Sequence, residues 1–290
     1  MRIALEKNIK SPIKSFTISE LIESYFDPNW HFHSHYQLFT VLEGTGTRFI
    51  GDNIQHFEPG DTVFLGPDLP HLWNSDKIYF EAESTLMTRG IVVYFTEDFL
   101  GNSFFKKSEM LSIANLFQRS KSGISFHGKT KTSLIKSLKK ITQQSDFDSV
   151  LSLLKILHIL SNSTDYKLIT SINYTNTHKD SETDRMQKVH DYVIKHYRDK
   201  IQLQEISGIV SMSEAAFCRY FKKRTNKTFS DFVNEIRIGN ACKLLSTTED
   251  LAITQIAYES GFNTLSNFNK QFQKITQKTP SLYRAEAMRK

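Results

Sequence analysis

The chain has 290 residues, 39% hydrophobic and 12% aromatic, enough for real cores and suggestive of two domains. Its net charge of +6 is unevenly held. Residues 184–290 carry 18 Lys and Arg against 11 Asp and Glu, and residues 1–183 carry 19 against 20, so the positive excess lies where a phosphate-bearing partner would need it. Two cysteines make no disulfide framework, no apolar run approaches bilayer length, and the first ten residues lack a signal-peptide core. Disulfide scaffolds and membrane proteins are therefore set aside, and a cytoplasmic protein is expected.

Residues 1–100 read as short strands separated by turns: Ser15–Ile18, Tyr36–Leu42, Thr47–Ile50, Ile54–Phe57, Thr62–Leu65 and Gly90–Phe95. Breaks fall at Gly44 to Gly46, Gly51 to Asn53, Glu58 to Asp61 and Gly66 to Pro70. Such spacing indicates a small antiparallel barrel or sandwich. Strand alternation would put His31, His33, His35 and Gln37 on one face. With Gly44, Pro59-Gly60-Asp61 and His71, these residues resemble the two motifs of the cupin superfamily over about 85 residues. The resemblance implies that His31, His33, Gln37 and His71 take the four metal-ligand positions. Gln37 stands where metal-binding cupins carry Glu and supplies no negative charge, which weakens an iron or manganese enzyme site. His31, His33 and His71 could still hold a divalent ion such as zinc. The favoured reading is a ligand pocket without metal, with Arg48, Trp73 and Tyr94 as further lining groups.

From residue 101 to 161 the pattern turns helical. Met110, Ile113, Leu116 and Phe117 suit one amphipathic helix, Thr132 to Gln144 a second, and Val150 to Leu160 a third, apolar at 150, 153, 154, 157 and 160. His158 reads as a core or edge histidine. Residues 162–183, rich in Ser, Thr and Asn, read as a linker. A helix through Met186, Val189, Val193 and Tyr197 opens residues 184–290.

That last part contains one pattern written twice, at about 203–226 and 253–277. Ile206 matches Ile256, and at a shift of one more residue Phe217 matches Phe268, Arg219 Lys270, Phe221 Phe272, Lys223 Lys274, Thr225 Thr276, Lys227 Lys278, Ser230 Ser281 and Phe232 Tyr283. Each copy reads as helix, tight turn, longer helix, with the Phe face buried: a helix-turn-helix whose second helix can enter the major groove. Ser213 caps the first long helix, and Asn263 or Thr264 the second. Glu214, Ala215, Cys218, Arg219 and Lys222 then point outward, and so do Leu265, Ser266, Asn269, Lys270 and Gln273. Arg can pair with guanine and Asn with adenine in bidentate fashion.

Phe217 to Phe229, Phe232 to Leu245, Ile256 to Phe262, Phe268 to Phe272 and Thr279 to Arg284 together resemble the paired helix-turn-helix domain of the AraC/XylS family of transcription regulators, over about 100 residues. The resemblance implies a rigid connecting helix from Phe229 to Leu245, with Arg237 on it touching phosphate. It also implies that the helices after the cupin pair two subunits; packing on their own barrel is the alternative. Ser211 departs from the glycine usual in the first turn, at a cost if that position needs positive φ.

The expectation is an α+β multidomain protein: an N-terminal cupin-like antiparallel β-barrel with a helical extension, and a C-terminal all-α domain with two helix-turn-helix units. Its function would be ligand-responsive, sequence-specific binding of double-stranded DNA. The effector would be a sugar or other small metabolite, the state a homodimer, and RNA polymerase a partner if the protein activates. It is not expected to be an enzyme or to need a cofactor. A cupin metalloenzyme with a DNA-binding appendix is the alternative, and a purely architectural DNA binder a third reading that leaves the barrel unexplained.

Overall fold

The computed structural model describes residues 15–172, 174, 180–248 and 250–288. Expectations for the first ten residues and for residues 175–179 lie outside that range. The chain divides into two compact units, with the change at Asn176 and Thr177.

The first unit begins with seven strands: β1 (Phe16–Glu23), β2 (Tyr36–Glu43), β3 (Gly46–Ile50), β4 (Asn53–Phe57), β5 (Thr62–Leu65), β6 (His71–Ser75) and β7 (Thr88–Phe95). Then come α1 (Leu111–Ser120), β8 (Ile124–Phe126), α2 (Gly128–Ile141), α3 (Asp146–Ser161) and β9 (Tyr166–Leu168). The expected cupin-like antiparallel fold is present as two sheets, in orders β1-β7-β2-β5-β8-β9 and β4-β3-β6.

The period-2 rule explains how the layers assemble. Along β2, Tyr36 and Leu38 face one way and join Phe64, Ile91, Val93 and Phe95 against Phe117, Leu138 and Leu157 from the helices. Phe39 and Val41 face the other way and join Ile50, Phe57, Val63, Leu65 and Trp73, so side chains of both sheets share one core. At the middle of the six-stranded sheet β2 is buried on both faces, which is why it reads as a mostly apolar run.

Three boundaries need correction. The strands of the cupin-like unit are not confined to residues 1–100, because β8 and β9 complete the large sheet. The stretch 162–183 is not all linker: β9 lies in it, and Ser171 donates from its backbone N–H and its hydroxyl to the buried carboxylate of Asp52 on the β3–β4 turn, at 3.0 and 2.5 Å. The run of His31 to His35 is not a strand, since β2 starts only at Tyr36.

The second unit is helical: α4 (Asp180–His196), α5 (Leu203–Ile209), α6 (Glu214–Thr225), α7 (Phe229–Thr247), α8 (Ile253–Glu259), α9 (Leu265–Thr276) and α10 (Pro280–Ala287). The internal repeat extends further than two helices per copy. Thr228 caps α7 by accepting from Asp231 N–H at 3.1 Å, and Thr279 caps α10 by accepting from Leu282 N–H at 3.3 Å. Lys227 pairs with Glu235, and Lys278 with Glu286. Phe217, Phe221, Phe229 and Phe232 pack edge to face around the first copy, and Phe262, Phe268 and Phe272 are buried in the second. Among the described residues no helix is long and apolar enough to cross a membrane.

Candidate functional site

Two sites emerge, one in each unit. In the second unit both helix-turn-helix turns are built alike. Met212 N–H donates to Ser207 O at 2.9 Å, and Phe262 N–H donates to Ala257 O at 3.0 Å. The residue before each has positive φ, 56° at Ser211 and 86° at Gly261. The expected strain at Ser211 is therefore present. Ser213 then caps α6, accepting from Ala216 N–H at 3.3 Å, and Thr264 caps α9, accepting from Asn267 N–H at 3.2 Å. Burying Phe217 and Phe221, or Phe268 and Phe272, turns the opposite face of each helix outward. Glu214, Ala215, Cys218, Arg219 and Lys222 are exposed on α6, and Ser266, Asn269, Lys270 and Gln273 on α9.

Two expected contacts are placed otherwise. Leu265 is half-buried and packs on the second core. Arg237 on α7 is turned into the domain: its Nε donates to Tyr197 O at 2.7 Å and its Nη2 to Asp199 O at 2.8 Å, with the guanidinium 5.8 Å from the Phe262 ring. Burial lowers its pKa from the usual arginine value. Beside α6 and α9 lies a groove of about 300 Å³, not anticipated from periodicity, lined by Lys222, Asn226, Asp231, Gln271 and Lys274. Lys274 on α9 pairs across it with Asp231 on α7 at 2.8 Å. Only the offset of 51 between Lys223 and Lys274 marked that position.

In the first unit His31, His33 and His71 come together, all buried, with one ring nitrogen of each within 4.8 Å of the others. A bend and an isolated bridge between His31 and His71 place them, rather than strand alternation. His35 accordingly stands apart: it is half-buried, its carbonyl accepts from His33 Nδ1 at 2.9 Å, and burial lowers its pKa. Asn29 O and Leu69 O accept from Nδ1 of His31 and His71 at 2.8 and 2.7 Å. Three Nδ1–H tautomers are thus set by backbone carbonyls, leaving Nε2 as the acceptor or ligand atom. Gln37 Oε1 lies 2.8 Å from His33 Nε2 and 3.0 Å from His71 Nε2. One oxygen facing two acceptor nitrogens suits a shared cation, so the residues fit a divalent metal. Turning the amide over also satisfies them, because its NH2 can donate to both rings. Burial pushes the His33 pKa down to about 4.

Tyr94 sits 5.1 Å from the His33 ring, and its hydroxyl pKa is raised by burial. Trp73 lies 5.6 Å from the His71 ring, and its buried Nε1–H has no acceptor among the described residues. Such an orphan donor is costly and is satisfied when a ligand supplies an acceptor. Arg48 is fully buried but ion-paired with Asp61 at 2.9 Å, so the Pro-Gly-Asp segment neutralises it inside the fold.

The fold and the two capped helices define a DNA-binding transcription regulator with an N-terminal cupin domain. Residues 206–286 match the helix-turn-helix domain family and residues 21–78 the cupin domain family. The chain is 24% identical over 283 residues to the uncharacterized HTH-type transcriptional regulator YdeC of Bacillus subtilis (strain 168), covering 96% of this chain and 93% of that one. It is 35% identical over 103 residues to an HTH-type transcriptional regulator of Staphylococcus aureus, covering 36% of this chain but only 14% of that protein's length. Among solved structures, ToxT from Vibrio cholerae aligns over 93% of this chain and 98% of its own, at 18% identity and a TM-score of 0.36. The DNA-binding domain of AdpA in complex with a target DNA covers 34% of this chain and 87% of its own, at 22% identity and a TM-score of 0.32. The chain is thus similar to HTH-type transcriptional regulators, with a helix-turn-helix domain of AraC type following a cupin domain.

Proposed function

We propose that this protein binds a specific double-stranded DNA site through α6 and α9 and that a small metabolite held in the cupin domain controls the binding. The observation that carries the DNA reading is the pair of capped helices with matched exposed faces, Glu214, Ala215, Cys218, Arg219 and Lys222 on one and Ser266, Asn269 and Lys270 on the other. Arg219 and Lys270, at matched positions, are the first choices for base or phosphate contact. The effector would meet His31, His33, His71, Gln37 and Trp73 Nε1, a set rich in directed polar atoms and suited to a hydroxylated or carbonyl-bearing metabolite. It must bind the DNA-competent and incompetent states unequally to exert control. Exposed Phe147, Leu151 and Ile159 on α3 support pairing of two chains, and RNA polymerase is a partner if the protein activates. A cytoplasmic site of action and the lack of enzymatic turnover belong to the same reading.

Selection of genomic fragments by the purified protein, then anisotropy titration of the winners at several salt concentrations, tests it. A site preferred over random duplex by about 1,000-fold or more is expected. Equal affinity for all duplexes, falling steeply with salt, would leave only electrostatic binding and sink the proposal.

A second reading, a metal-dependent cupin enzyme, is favoured by the three convergent histidines. A divalent ion on His31, His33 and His71 with Gln37 would supply Lewis acidity there. Elemental analysis after zinc, manganese or iron loading decides: stoichiometric metal together with metal-dependent turnover would replace the sensor reading.

A further inference from the structure

Three parts of the second unit meet at one polar junction. The turn after α4 supplies Tyr197, Arg198 and Asp199, the middle of α7 supplies Arg237 and Asn240, and the α8–α9 turn supplies Ser260, Gly261 and Phe262. Arg237 binds the carbonyls of Tyr197 and Asp199 and lies over Phe262. The Tyr197 hydroxyl donates to Asn240 Oδ1 at 3.1 Å, and the Asn240 amide donates to the fully buried Ser260 Oγ at 3.1 Å. Gly261 fits so closely that an added Cβ would stand 2.6 Å from Tyr197 O and 2.8 Å from Arg198 Cα.

At the first helix-turn-helix the matching turn position is open where Gly261 is closely packed. Ser211, at the matching turn position, is exposed, and its side chain has no partner among the described residues. What the junction adds is a fixed relation between α9 and α7, the helix that also leads back to α6.

We infer that Arg237 is a positioning residue that sets the spacing at which the two recognition helices read DNA, and that it does not act as a phosphate contact. The inference rests on the proposed reading of DNA by α6 and α9. Recognition helices that enter successive major-groove segments sit about 34 Å apart, and one inserted base pair moves the second segment by about 3.4 Å and turns it by about 35°. A clamped pair of helices cannot follow that displacement. An unclamped pair can.

The test uses the full chain on its selected site and on the same site with one base pair inserted between the two contacted segments, at several salt concentrations. Wild-type protein is expected to lose about 100-fold in affinity on insertion, as loss of base contacts by one helix implies. Arg237→Ala is expected to lose less than about 10-fold on insertion, while its salt slope on the selected site stays that of wild type. A salt slope lower by about one with the spacing preference intact would mark a phosphate contact and overturn the inference. If thermal melting shows that Arg237→Ala does not fold, Asn240→Ala cuts the links to Tyr197 and Ser260 and is read the same way; a wild-type spacing preference in it overturns the inference. Wild-type protein indifferent to the insertion would also overturn it. Wild-type protein with no preferred site at all would instead remove the DNA reading on which the inference stands.

Discussion

Ser211 and Gly261 occupy the same place in two copies of one turn, and exchanging their residue types should have opposite effects. Ser211 holds φ of 56° with an exposed side chain, so its Cβ gains no packing in return for the strain. Relief of left-handed strain by Ser211→Gly contributes about 1–2 kcal/mol. The extra freedom of glycine in the unfolded chain takes back about 0.4–1 kcal/mol. A net gain of about 0.5–1 kcal/mol follows, or about 2–5 °C in melting temperature. Gly261→Ser faces φ of 86° and a Cβ only 2.6 Å from Tyr197 O. Strain and overpacking together should cost about 2–4 kcal/mol. Urea and thermal unfolding of both variants, followed by far-UV circular dichroism, measure the difference. A destabilised Ser211→Gly beside a tolerated Gly261→Ser would refute the assignment of the two turns.

Arg219→Ala and Lys270→Ala should each weaken binding to the selected site by about 1–3 kcal/mol, and unchanged affinity in the titration would remove them from the reading face. Cys218 is exposed, whereas burial pushes the Cys242 thiol up to about 12 despite a hydrogen bond from Tyr283, so maleimide at neutral pH should label one thiol per chain quickly and bound DNA should slow it; two fast thiols would contradict this packing. Asp52→Ala strips the acceptor from Ser171 N–H and hydroxyl and should cost about 1.5–3 kcal/mol in the denaturation of the first unit. Asp231 is held below its usual pKa, first by Lys274 and then by Thr228. Its contribution is present above the ordinary carboxylate range and disappears as pH falls through its lower native value. Asp231→Asn should therefore narrow the stability gap between neutral and acid pH slightly, as for any exposed pair; an unchanged pH profile would show that the pair contributes nothing.

The helical unit was legible because its signals are local and repeated: Phe217 with Phe221, Phe268 with Phe272, and a capping hydroxyl before each. The bonds of Arg237 were not legible because its partners lie 40 and 38 residues away in sequence, where periodicity carries no information. Strands β6, β8 and β9 escaped for a different reason. β8 and β9 have three residues each, too few to show alternation, and β6 follows Pro70 with buried His71, Leu72 and Trp73 in unbroken succession. The histidines were identified by type and spacing, but their convergence depends on a bend at Ser34 and His35 and on the bridge to His71, which strand periodicity could not anticipate.

One feature of the fold bears on how much a regulator of this size can know. A single uninterrupted helix, α7, of 19 residues and roughly 28 Å by helical rise, separates the two helix-turn-helix units. A helix that inspects about four base pairs picks out roughly one sequence in 250, far too few distinctions against the millions of competing positions in a genome. Two such helices free to move would find their targets independently, and their selectivities would only add. Joined by a stiff rod they must be satisfied together, and the odds multiply to about one in 65,000. The information content of the site would then reside as much in the helix that touches no base as in the two that do.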